Sequence, residues 1–362
     1  MALGDNAAIA RRRPGMFVGD PSGPHAARLL VWELVSNAVD QHLAKRCGSI
    51  SITLRDTTTT VEDDGPGLSI AVADGVSFVE RACLAAHDFA TLDGHTPHVH
   101  TSGLAGAGLF SVCAFSSHFA LETTAEGRRY RLVTERGIPA GPLEDLGPSD
   151  IIGTRVSFAP DPAIFTRIDL DRGVIAARLH EIAMCAPSLR ITLRDERTAL
   201  IQSPNGAADF LDRRVDNVHQ RIVPSFSRRE RVDDVDVDVA LRWEGYERPI
   251  IHAFANFGPN TDGTHVSGLH DGVKAAVYSR ARKLRRRVLK VPRTSLALGM
   301  RAVVAVRLHD ARYQNPTKDI LASPEARAAV AVVTERLLTN AFEHDAALSQ
   351  QLVERVTWRL PR

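Results

Sequence analysis

Lysine is scarce in this chain: five occur in 362 residues, Lys45, Lys274, Lys283, Lys290 and Lys318, against 40 arginines. None lies between Lys45 and Lys274, so a lysine serving a site in that stretch must arrive from an end of the chain. The four cysteines, Cys47, Cys83, Cys113 and Cys185, are scattered without a CxxC pair. That spacing argues against a zinc site or a disulfide frame and suits small buried hydrophobes in a reducing compartment. No apolar run approaches the roughly 18 residues that cross a membrane, and Met1-Ala-Leu-Gly-Asp lacks the charged-then-apolar layout of a leader. A cytoplasmic location without a membrane partner is the expectation. A net charge of +2 excludes a global polycation, so any nucleic-acid contact must come from a local patch.

The length predicts two domains. Leu30, Leu34 and Ala38 share one stripe and Glu33, Asn37 and Asp40 another, so residues 26–45 read as a helix that Cys47-Gly48 stops. Strands are expected at Ile50–Leu54 and Thr59–Glu62, a helix over 71–90, a polar loop over 91–101, and a helix at Leu109–Phe115. Strands at 117–124, 129–135, 156–158 and 189–193, with a helix at 171–186, complete an α+β sandwich, a mixed sheet with helices on one face. The pattern breaks at Gln202-Ser203-Pro204-Asn205-Gly206, which places a boundary between domains 1–205 and 206–362. The second, smaller domain reads as α/β, with strands at 235–243, 250–257 and 302–308 and helices at 267–288 and 324–345. Residues 279–293 carry Arg280, Arg282, Lys283, Arg285, Arg286, Arg287, Lys290 and Arg293. A solvated helix face and a nucleic-acid patch both fit that run.

Four segments carry chemistry. Glu33 and Asn37 stand one helical turn apart; Asn offers a neutral oxygen to Mg²⁺, and Glu33 can take a proton from a water. An ordinary amphipathic helix would show the same residues. Asp63-Asp64-Gly65-Pro66-Gly67 follows a strand, where a carboxylate can accept from an adenine amine and glycines admit the base; a plain β-turn also fits. Gly103, Leu104, Gly106 and Gly108 precede an apolar helix and can cradle phosphates with backbone N–H groups, or merely let that helix pack closely. Gly153-Thr154 opens a strand whose hydroxyl could bond a purine ring. The histidines His87, His95, His98 and His100 are irregularly spaced, which fits solvated side chains better than a metal site.

In this order the segments resemble the GHKL family of ATPases, and within it the ATPase and transducer region of the B subunits of DNA gyrase and topoisomerase IV. Arg13-Pro14-Gly15-Met16-Phe17-Val18-Gly19-Asp20 resembles their entry motif. The resemblance implies Glu33 as general base, Asn37 as Mg²⁺ ligand, and Asp40 in the same box. It further implies Asp63 at adenine, Gly65 and Gly67 as its turn, Gly103, Leu104, Gly106 and Gly108 in the phosphate lid, and Thr154 beside the base. It covers the second domain too, through Asn256-x-x-Pro259-x-x-Asp262-Gly263-Thr264-His265, Gly299–Val306 and Pro316-Thr317-Lys318. Lys318 occupies the place of the lysine that meets the γ-phosphate. ATP and Mg²⁺ are the implied cofactors, and DNA, a DNA-acting protein and an ATP-closed homodimer the implied partners.

The chain departs from the family at several positions. No lysine stands in the lid, Ala105 and Leu29 replace histidines, Pro66 an arginine and Pro316 a glutamine. The N-terminal arm is short, which leaves the homodimer open, and no cleavage or DNA-gate region is expected. Three functions fit: a gyrase-like ATPase acting with a partner on DNA, a phosphotransferase acting on a small molecule, and a nucleotide-gated binding or resistance protein with little turnover.

Overall fold

Period-two alternation of apolar residues builds the first sheet, and one long apolar helix covers it. The computed structural model describes residues 3–85, 108–213, 225–245 and 248–357, side chains 3–5 excepted. The chain divides into two compact units, Met1–Gln202 and Ser203–Arg362.

The helices of unit 1 are α1 (Leu3–Arg12), α2 (Gly15–Val18), α3 (Ala26–Leu43), α4 (Phe78–Leu84), α5 (Gly108–Ala114) and α6 (Arg172–Cys185). Its strands are β1 (Ser49–Arg55), β2 (Thr58–Asp63), β3 (Val72–Ala73), β4 (Val76–Ser77), β5 (Ser116–Ala125), β6 (Arg128–Glu135), β7 (Ile138–Pro139), β8 (Glu144–Pro148), β9 (Thr154–Pro160), β10 (Arg190–Arg194) and β11 (Thr198–Ile201). The main sheet runs β11-β10-β1-β2-β9-β5-β6-β7, with β8 also on β6. Only the β1–β10 pair is parallel, so the sheet is mixed. One face of β1, β2, β5 and β9 is buried through Ile50, Ile52, Val61, Phe119, Leu121, Val156 and Phe158. The opposite face carries a cross-strand charge ladder, with Glu62 on Arg155 at 3.1 Å and Glu122 on Arg129 at 2.6 Å. Each such half-exposed pair adds only about 0.2–1 kcal/mol.

Helix α3 packs against α5, β2 and β9. Helix α1 is tied to its own unit: Arg11 bonds the buried Asp161 and donates to Ala114 O at 2.7 Å, while Asn6 donates to Leu84 O at 3.3 Å. Phe17 on α2 meets Phe115 and Phe110, with ring centroids 5.6 and 6.0 Å away. All four cysteines are free thiols, three of them buried and Cys185 half-buried.

One expectation fails here. The helix expected over 71–90 is a hairpin of β3 and β4 followed by the seven-residue α4, and residues 86–90 lie outside the described ones. Asp74 and Gly75 both have positive φ, 54° and 77°, the two-residue turn that Asp-Gly favours between antiparallel strands. Ser77 and Glu80 then form a reciprocal capping box that starts α4.

Unit 2 holds β12 (Phe226–Val232), β13 (Val235–Trp243), β14 (Ile250–Ala255), β15 (Gly258–Asn260), β16 (Asp262–Gly263), β17 (Met300–Arg307) and β18 (Ile320–Leu321). Its helices are α7 (Ala207–Arg213), α8 (Thr264–Lys283), α9 (Arg293–Ala297), α10 (Pro324–His344) and α11 (Ala346–Glu354). The sheet order is β12-β13-β17-β14-β15. Val237, Val239, Leu241, Val304 and Val306 face α8 and α10 in one core. Those helices pack at backbone distance, since a Cβ on Gly268 or Gly272 would stand 2.4 or 2.5 Å from a carbonyl of α10. On the other face, Phe210 of α7 sits edge-on to Phe254, 5.7 Å between centroids. Helix α8 starts and stops earlier than the 267–288 expected, because Arg285 turns left-handed (φ 54°) and Arg286 N closes back on Ala281 O at 2.9 Å.

Candidate functional site

Two adjacent aspartates stand at the end of the interior strand β2, and their surroundings give them opposite tasks. Asp64 faces the start of β1, where it accepts from Gly48 N at 2.7 Å, Ser49 N at 2.9 Å and Ser49 Oγ at 2.7 Å. Desolvation works against its charge, yet these donors bring its carboxyl down to about 2. It is a structural tie.

Asp63 points the other way, into an open cleft. Its backbone pairs with Ile50 on one side and Thr154 on the other, and its Oδ1 accepts from Gly65 N at 2.9 Å. Burial pushes the Asp63 carboxyl up to about 6; the N–H groups of Gly65 and Thr154 restrain the rise and Asp64 adds to it. This geometry leaves no room for side chains nearby. Gly153 has φ 109° and a Cβ there would lie 1.9 Å from Asp63 O; Gly67 has φ 77° and its Cβ would lie 2.1 Å from Thr124 O. Both positions require glycine.

The cleft is open to solvent, with about 470 Å³ of free space at its mouth and floor, and is lined by Leu34, Asn37 and Gln41 from α3, by Val61 and Asp63, by Pro66–Leu68, by Leu109, and by Thr154 and Val156 of β9. Asp63 is its one charged residue among those described. The lining is thus largely apolar, with one carboxylate and the neutral polar groups of Asn37, Gln41 and Thr154, a fit for a heterocycle with an exocyclic donor.

Helix α3 supplies the opposite wall. Among its residues Asn37 alone is exposed; Glu33 is 4% and Asp40 7% accessible. A solvated polar face would expose all of these, so the amphipathic-helix reading does not hold. Glu33 lies buried one turn before Asn37 and does not itself line the described cleft. Burial, reinforced by the Glu33 charge, pushes the Asp40 carboxyl up to about 8, and its Oδ1 has no hydrogen-bond partner among the described residues.

The structure therefore brings Asn37, Asp63, Gly67 and Thr154 together, with Gly65 shaping the turn and Glu33 and Asp40 behind the wall. Gly108 opens α5 with φ 43°, next to the lining residue Leu109. Gly103, Leu104 and Gly106 lie outside the described residues, as do His87, His95, His98 and His100. Lys318 belongs to unit 2. Sequence reasoning missed Gln41, which lines the cleft with a buried, unpartnered Oε1. The signal was present: Glu33, Asn37 and Gln41 are i, i+4 and i+8 on one helix. Among the described residues no cluster of three or more His, Cys, Asp or Glu could hold a metal, and no helix is long and apolar enough to cross a membrane.

Comparison with known proteins agrees with this geometry. Residues 23–161 match the family described as histidine kinase-, DNA gyrase B- and HSP90-like ATPases, and residues 206–359 match the DNA gyrase B family. Over residues 23–161 the chain is thus similar to the GHKL class of ATPases. Within that class it resembles the ATPase and transducer region of DNA gyrase B. It is 29% identical to the DNA gyrase B protein of Borreliella burgdorferi, over 94% of this chain and 56% of that protein. It is likewise 29% identical to the B subunit of the type 2 topoisomerase of Aquifex aeolicus, over 95% of this chain and 45% of that protein. The chain thus spans about half the length of these relatives. The 43K ATPase domain of Thermus thermophilus gyrase B, solved with an aminocoumarin, superposes with a TM-score of 0.81 at 26% identity, covering 97% of this chain and 93% of that one. The topoisomerase IV ATP-binding domain of Francisella tularensis shares the fold, with a TM-score of 0.79 at 23% identity, covering 97% and 95%.

Asp40 gives a stability test. An acid whose folded pKa lies above its unfolded value stabilises the fold fully at low pH, and that contribution is lost as pH rises through about 8. Asp40→Asn stays neutral, so near pH 9 it should gain on the order of 5 kcal/mol over the parent, and near pH 4 almost nothing. Urea unfolding at the two pH values measures this; equal effects at both would refute it.

Proposed function

We propose that this chain binds ATP with Mg²⁺ in the unit 1 cleft and hydrolyses it, as an ATPase of the gyrase B kind coupled to DNA or to a DNA-acting partner. The observation that carries the reading is the Asp63 carboxylate, an acceptor with spare lone pairs at the floor of an otherwise uncharged cleft. Its role is to accept from the exocyclic amine of adenine, with the Thr154 hydroxyl bonding the ring edge. Asn37, exposed on a buried helix, offers a neutral oxygen that suits a hard cation keeping water and phosphate as its other ligands. When bound, Mg²⁺ offsets phosphate charge, with Asn37 Oδ1 as its protein ligand.

Glu33 takes the proton of the attacking water, and Asp40 completes the acidic face behind it. Gly103, Leu104, Gly106 and Gly108 give backbone N–H groups to the phosphates, and Lys318 meets the terminal one. Glu33→Ala should lower turnover by about 100-fold or more while an ATP analogue still binds, and Asn37→Ala should remove the Mg²⁺-dependent part of that binding. Steady-state rates beside equilibrium titrations separate the two effects. Phosphate release that survives Glu33→Ala would assign the proton to another group. A parent protein that binds ATP but barely turns over would favour the nucleotide-gated reading.

The ionised Asp63 carboxylate is the stronger acceptor, so its proton competes with the nucleotide. Affinity should be flat above pH 7 and fall about tenfold per unit well below pH 6, and Asp63→Asn should flatten the profile. A profile unchanged from pH 5 to 8 would place the base elsewhere.

Charge supports a nucleic-acid partner. No acidic residue occurs between Asp271 and Asp310, and among the described residues Lys283, Arg285, Arg286, Arg287 and Lys290 make no ion pair and are exposed. The loop is held in shape, with Tyr278 Oη donating to Leu289 O at 2.7 Å and Leu289 N to Val356 O at 2.8 Å. Exposed cations on a fixed loop fit a phosphate backbone. Plasmid DNA should stimulate turnover severalfold, less at high salt, and the triple change of Arg285, Arg286 and Arg287 to Glu should abolish that stimulation without altering the basal rate. Absence of any DNA effect at low salt would exclude this coupling. Light scattering with and without an ATP analogue measures whether nucleotide drives a homodimer.

A further inference from the structure

Two segments far apart in unit 2 meet around Lys318. Tyr313 and Leu321 form a bridge, and Gln314 N donates to Ile320 O at 3.0 Å, which closes a short loop over residues 315–319. Lys318 stands exposed in that loop with φ 59°, a left-handed conformation that a side chain disfavours. Part of what holds it there is local. Lys318 N donates to Asn315 O at 3.1 Å, Asp319 N donates to Asn315 Oδ1 at 3.0 Å, and the Thr317 hydroxyl donates to the Asp319 carboxylate.

The rest comes from the end of β15. Thr261 N donates to Asp319 O at 3.0 Å, a bond that most residues at 261 would supply. Asn260 is different: its side-chain Nδ2 donates to the backbone oxygen of Lys318 at 2.7 Å, while its Oδ1 is buried without a partner. The amide therefore makes a contact that few other side chains could reproduce, aimed at the one strained residue of the loop. We propose that Asn260 is a positioning residue: its amide fixes the Lys318 backbone so that the ammonium group leaves the loop in one direction. The proposal rests on the reading of Lys318 as the contact to the terminal phosphate. A long, flexible lysine presented from a wandering loop would spend most of its time out of reach, and orientation is where such a group gains its effect.

The test uses the full chain and the near-isosteric Asn260→Asp, which keeps the volume and removes the donor. Amide exchange of the 315–319 segment should quicken about tenfold while the rest of unit 2 is unchanged. Turnover should fall about tenfold at saturating Mg·ATP, with KM altered by less than about twofold. In a Lys318→Ala background, Asn260→Asp should cost nothing further, because both changes remove the same contribution. Unchanged exchange would show that the amide does not hold the loop and would overturn the proposal. Faster exchange with unchanged turnover, or an equal loss in the Lys318→Ala background, would also overturn it. Wild-type turnover in Lys318→Ala alone would instead sink the phosphate reading, while the exchange result still decides whether Asn260 anchors the loop.

Discussion

Asp63 ends β2 with its backbone committed on both sides, to Ile50 and to Thr154, and with one carboxylate oxygen drawn back onto Gly65 N. What remains is a partly desolvated acid whose proton affinity has risen to about 6. That group can neither be fully buried nor fully hydrated in the free protein, and a neutral donor arriving from the cleft resolves the conflict. Gly153 and Gly67 keep backbone at contact distance on either side, and Asp64 fixes the strand end by capturing Gly48 and Ser49. The cleft is thus a consequence of how β1, β2 and β9 meet.

The neutral lining assigns labour between elements. With Asp63 as the one charged residue in the described cleft, attraction for a triphosphate must come from elsewhere. On the proposed reading it comes from a divalent cation on Asn37, from backbone N–H groups of the glycine segment and from Lys318. Turnover, on that reading, requires several elements to be in place at once.

Much of this was legible in the sequence, for identifiable reasons. The 3.6-residue period of α3 placed Glu33, Asn37 and Asp40 on one helix, and the Asp-Asp-Gly turn and Gly153-Thr154 proved to be neighbouring strand ends. Periodicity could not say that α3 is covered nearly all round, with Glu33 and Asp40 buried, since that depends on the tertiary packing of α5, β2 and β9 against it. It also misled over 71–90, where an apolar run was read as helix and the Asp74-Gly75 turn was passed over. The division of roles between Asp63 and Asp64 was assigned by resemblance alone; only their hydrogen bonds give it a physical basis. The bond between Asn260 and Lys318 joins residues 58 apart and leaves no local signature.

The most direct measurement is calorimetric titration of the purified chain with non-hydrolysable ATP and GTP analogues, each with Mg²⁺, at pH 7.5. An ionised acceptor at the cleft floor welcomes the 6-amino group of adenine and repels the 6-oxo group of guanine, so the ATP analogue should bind at least about 100-fold more tightly. Equal affinity for the two, or no heat with either, would contradict a cleft organised around Asp63.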